Sequence, residues 1–147
     1  METLELLKYT SLYLPHKVRA YYEFLGEYSH GEWIDNVTFL TPRLLYDFAK
    51  ENGKYRNLKL YLRPLSQLTE EIKHNGERFV PTELLDSDDY PIDFFVDTEF
   101  EYMVDWINHC QKNHHILFMP WGLINQLTEW HFDVFGLIEK GLALKKI

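Results

Sequence analysis

Four groups of residues in this 147-residue chain have types and spacings that could do chemistry. The densest is His109-Cys110 followed by His114-His115. On a continuous helix Cys110 and His114 stand at i and i+4 on one face, a workable half of a metal site. A closed structural zinc site takes four ligands in paired short spacings. The expectation is therefore Cys110 as a small buried hydrophobe, the histidines in a polar connector, and no structural metal or other cofactor. The second group is Glu129, His131 and Asp133. Residues at i and i+2 of a helix do not face each other, so this trio converges only where a helix is broken. The third is Arg63-Pro64-Leu65-Ser66. If Ser66 caps a helix, the N-terminus beside Arg63 could hold a small anion such as a phosphate, although ordinary capping with a structural Arg explains the same pattern. The fourth is the acidic run carrying Asp86, Asp88, Asp89 and Asp93. It does not fit an EF-hand loop, because Pro91 and Asp97 stand where that loop needs Gly and a bidentate Glu.

The elements that must position these groups follow from periodicity. Residues 4–14 are apolar up to Pro15 and predict a short helix. Val18, Ala20, Tyr22 and Phe24 share one parity, which predicts a strand over 17–25. Turn residues follow, and 33–40 reads as a second strand antiparallel to the first. Thr41-Pro42 is an N-cap followed by Pro at the first helical position, opening a helix over 43–51. A third strand is expected over 58–62, closed by Pro64. Ser66 then predicts a helix over 67–74 with Asn75-Gly76 as its stop. Residues 77–80 read as extended, and Pro81 opens one helical turn. Thr98 and Glu101 form a capping box before a helix whose stripe is Phe100, Met103, Val104, Ile107 and Cys110. Residues 113–119 read as a connector. A last helix from Pro120-Trp121 carries the stripe Leu123, Leu127, Trp130, Val134 and Ile138, with Leu127 and Val134 on its midline and Gly141 as its stop. Together these predict one α+β domain over 1–147, a small antiparallel sheet covered by helices, with a long C-terminal helix central to the core.

Composition bounds the rest. The hydrophobic fraction of 46% supports a packed core without disulfide or metal. The single cysteine fits a reducing compartment. The start of the chain lacks the pattern of a signal peptide, and no apolar run is long enough to span a bilayer. The expected location is the cytoplasm, with no membrane partner. The net charge of −8 is uneven: residues 1–78 hold 11 basic and 11 acidic residues, whereas 79–147 hold 4 and 12. Between Phe79 and Gln111 nine carboxylates stand without a single Lys or Arg. That field repels phosphates and argues against direct nucleic-acid binding.

Two stretches carry a resemblance. Leu62-Arg-Pro-Leu-Ser-Gln-Leu-Thr-Glu-Glu-Ile72 with Asn75-Gly-Glu-Arg-Phe-Val-Pro81 is the first. Glu129-Trp-His-Phe-Asp-Val-Phe-Gly-Leu-Ile-Glu-Lys-Gly-Leu-Ala143 is the second. Both resemble strings in a family of short proteins encoded by phages and prophages of gut Bacteroides and relatives. The resemblance covers residues 58–85 and 120–144, and the N-terminal half departs most from it. It implies a phage or prophage origin and the host cytoplasm. It implies no activity and carries over no catalytic residue. The leading expectation is a non-enzymatic accessory protein that binds a host protein with a basic surface, for host modulation or counter-defence. Two alternatives stay open. One is a binder of a small anionic ligand such as a nucleotide signal, using Arg63, Ser66, Trp130 and His131. The other is a hydrolase using His131.

Overall fold

The computed structural model describes residues 7–26, 30–50, 54–85 and 121–146. The expected helix at 98–110, the connector at 113–119 and the acidic loop lie outside these residues. Contacts group the chain into two compact units, one of Met1–Leu62 with Leu137–Ile147, the other of Arg63–Gly136. The structure is α+β, with a four-stranded mixed sheet and a separate two-stranded one.

In the first unit, residues 7–10 are helical and continue into a 3-10 helix, Ser11–His16, ended by Lys17 in the left-handed region at φ 53°. β1 (Arg19–Phe24) and β2 (Ile34–Phe39) pair antiparallel, in the expected order. α1 (Pro42–Lys50) starts as its sequence dictates: the Leu44 N–H donates to Thr41 Oγ1 over 3.1 Å. β3 (Tyr55–Leu62) pairs antiparallel with β1 through an irregularity opposite Tyr21 and Glu23. There Asn57 sits at φ 55°, a conformation Asn tolerates better than most residues, and one extra β3 residue is absorbed. Ala20, Leu58, Leu60 and Leu62 face the core of this unit with Tyr13, Val18, Leu40 and Leu137.

The second unit packs Leu65, Leu68, Ile72, Leu85, Leu123, Ile124, Leu127, Trp130, Phe132 and Val134 into one cluster. Leu127 and Val134 are both fully buried, Leu127 on the helix stripe and Val134 beyond the helix end. Its elements are a 3-10 turn (Leu65–Thr69), β4 (Ile72–His74), β5 (Glu77–Phe79), α2 (Pro81–Leu85) and α3 (Trp121–Glu129).

Three expectations are corrected. The helix over 67–74 does not form. Ser66 lies exposed in the 3-10 turn, whose N-cap position is Pro64, with no side-chain cap hydrogen bond. Asn75-Gly76 is not a helix stop but the two-residue turn of the β4–β5 hairpin, with φ 51° and 83°. Two consecutive positive φ values are what a type I′ turn needs and what Asn-Gly supplies most readily. The long C-terminal helix is only nine residues long and ends at Glu129. The chain beyond it turns through 134–141 and enters β6 (Ala143–Lys145). That strand lies parallel to β3, so the sheet is mixed rather than wholly antiparallel.

Candidate functional site

The break at Glu129 places His131 and Asp133 where no helix could. The His131 N–H donates to Thr128 O over 3.0 Å and the Phe132 N–H to Leu127 O over 2.9 Å. His131 itself is left-handed at φ 65°. This is a Schellman ending, with His131 in the position that Gly usually takes and Phe132 packed in the same cluster as Leu127. An L residue there costs roughly 1–2 kcal/mol. His131 bears that strain with its side chain buried, its ring meeting His74 edge to face at 4.7 Å between centroids.

Downstream, the chain runs alongside Arg63. The Arg63 N–H donates to His131 O over 2.7 Å, and the Asp133 N–H donates to Arg63 O over 2.8 Å, a parallel bridge centred on Phe132. The Arg63 side chain turns inward, leaving the residue 6% exposed. Its Nε donates to Trp130 O over 3.1 Å and its Nη2 to Lys73 O over 2.9 Å. One guanidinium thereby ties β4 to the end of α3. Burial holds its pKa below the ordinary arginine value, since a cation is costly to desolvate.

The residues singled out in the sequence thus separate. Arg63, Trp130 and His131 meet in the interior of the second unit, with Trp130 packed on Phe79 at 5.1 Å. Ser66 stays at the surface. Of the trio, Glu129 is exposed and its carboxylate accepts from Gln126, while His131 and Asp133 are buried. The helix expected to run through this trio is in fact broken there. The His131 ring is buried, on a helix ending. Asp86, Asp88, Asp89 and Asp93, like His109, Cys110, His114 and His115, lie outside the described residues. Among the described residues no three His, Cys, Asp or Glu side chains come together to hold a metal ion. No described helix is long and apolar enough to cross a membrane.

Sequence reasoning missed His74 and a second constellation. His74 was legible in principle: Asn-Gly between Ile72-Lys-His and Glu77-Arg-Phe is a hairpin signal that puts Ile72 and His74 on one strand face. The second constellation lies in the sheet of the first unit. Glu23 accepts Arg56 through Nε at 3.1 Å and Nη2 at 3.0 Å, Asn57 Nδ2 at 2.7 Å and the Tyr21 hydroxyl at 3.2 Å. Arg56 also stacks over Trp33 at 4.0 Å. The Asn57 hydrogen bond, with those of Arg56 and Tyr21, holds the Glu23 carboxyl below its ordinary range. A carboxylate so fully engaged is a weak base and a good structural anchor. No sequence spacing could announce it, because Asn57 reaches Glu23 through the β3 irregularity.

Comparison of the chain with family models, with curated proteins and with solved structures finds no match.

Proposed function

We propose that this chain is a non-enzymatic accessory protein of a phage or prophage that acts by binding a host protein with a basic surface. The observation that carries this reading is the placement of the chemically capable side chains. Arg63 is buried and donates to main-chain carbonyls, His131 is buried against His74, and Ser66 is exposed. Buried groups engaged with their own main chain hold a fold together. The anion-binding alternative at Arg63 and Ser66 loses the helix on which it rested. The charge distribution supports a protein partner: nine carboxylates without a local cation attract a basic surface and speed its approach.

The test is association with host proteins at graded ionic strength. Affinity capture from a host lysate should retain a partner whose association slows steeply as salt rises, because screening shortens from about 10 Å at 0.1 M to about 3 Å at 1 M. Replacing Asp86, Asp88, Asp89 and Asp93 by Asn should slow that association and leave the melting transition in place. An unchanged rate across salt would mean that the carboxylates serve solubility alone.

A further inference from the structure

We infer that the outer edge of β2 pairs with the same edge of a second copy of this chain, joining two four-stranded sheets across a two-fold axis. Among the described residues β2 is a terminal strand of the sheet, and all six of its residues are exposed. The opposite edge, β6, is only three residues long. Folded proteins usually keep exposed edges short or blunted, so a six-residue edge carrying Ile34, Val37 and Phe39 at 42%, 46% and 50% exposure is the exception here.

The register follows from the ladder. The Leu40 N–H donates to Val18 O, so even-numbered residues of β2 turn their main-chain groups toward β1. Asp35, Val37 and Phe39 therefore turn theirs outward. An antiparallel pairing centred on Val37 against Val37 of the second copy uses all three, matching Asp35 with Phe39 on either side. Each matched pair exchanges two main-chain hydrogen bonds.

Charge selects the same partner. On the face bearing Asp35, Val37 and Phe39, Arg19 lies opposite Phe39, and its guanidinium leans over that ring at 5.7 Å, toward the free edge. The next residue outward in this register is Asp35 of the second copy. Within its own chain Asp35 sits opposite Glu23, a like charge, and has no ion-pair partner among the described residues. Pairing supplies the missing cation twice, once on each side of the axis, as an isologous contact requires.

The lone chain also holds a competitor for this pairing. Asn36 Oδ1 accepts the Val37 N–H over 3.0 Å, while Asn36 Nδ2 donates to the Tyr22 hydroxyl over 3.0 Å. Pairing must take the Val37 N–H away from Asn36. A contact this small, with such a competitor, makes a concentration-dependent dimer rather than a permanent one. The inference is independent of the proposed host-binding role and uses different residues.

Sedimentation velocity of the purified full chain, from roughly 1 μM to roughly 500 μM, reads the equilibrium directly. The expected result is a monomer–dimer shift within that range. Val37→Lys should weaken the dimer by about tenfold or more, Asn36→Ala should tighten it, and Arg19→Asp should weaken it with recovery in the Arg19→Asp/Asp35→Arg double variant. Circular dichroism melting confirms that each variant folds. If one fails to fold, the remaining substitutions still decide. A chain that stays monomeric throughout, a dimer indifferent to Val37→Lys, or a charge swap that fails to recover association would overturn the inference.

Discussion

Arg56 and Arg63 lie seven residues apart, at the start and just past the end of the same strand, and do opposite work. Arg56 is on the surface of the first unit, stacked over Trp33 and paired with Glu23. Arg63 is buried in the second and has turned its donors onto the carbonyls of Trp130 and Lys73. Solvent makes the difference. At the surface, water competes with every contact of Arg56, so its ion pair is worth little. Inside the second unit the Arg63 Nε bond to Trp130 O is buried, and taking the donor from a buried acceptor costs more than the same loss in water. The same side chain is thus an accessory in one unit and a structural fastener in the other.

Breaking the hydrophobic frame around that fastener should have the largest effect. Leu127→Ala deletes a fully buried side chain on the central stripe and should destabilise by roughly 2–5 kcal/mol in denaturant unfolding. Next, Arg63→Met keeps the bulk of the stem but removes the donors that Trp130 O and Lys73 O accept from. It should cost about 2–4 kcal/mol, well beyond the same substitution at Arg56. Equal losses at the two positions would erase the contrast. A smaller effect sharpens the reading of His131. If the left-handed ending carries strain, His131→Gly relieves it while losing the ring, and His131→Ala loses the ring without relief. Ala should then be less stable than Gly by about 1 kcal/mol in thermal melts. The smallest effect belongs to Glu23. Its folded pKa lies below its unfolded one, chiefly through the Asn57 hydrogen bond. Its contribution is therefore fully present above the ordinary glutamate range and fades as pH falls through the depressed folded value. The difference in melting temperature between the wild type and Glu23→Gln should narrow over that acid window and stay constant at neutral pH.

Where local rules were obeyed, the sequence was easy to read. Thr41 caps α1 as a Thr-Pro start should, the first two strands pair antiparallel, and Leu127 reaches the core. Where one string admits two structures, it misled. Asn75-Gly76 ends helices and also turns hairpins, and a cap reading of Ser66 tipped the balance toward the wrong one. Val134 shows the same ambiguity from the other side. Its burial was predicted from a helical stripe, yet it is buried beyond the helix end.

By itself, then, the sequence determined the first three strands, the start of α1, the burial of Leu127 and an α+β composition. Those depend on neighbours within a turn or two, and periodicity records them. Only the tertiary structure decided that α3 stops at Glu129, that β6 returns parallel to β3, and that Arg63 turns inward. Each of those rests on partners far along the chain: Lys73 and Trp130 for the Arg63 guanidinium, Leu60 and Leu62 for β6. Ending a helix early at a non-glycine residue carries a local cost. It is met by bridge hydrogen bonds to Arg63 and by burial of Phe132, which no window along the sequence contains.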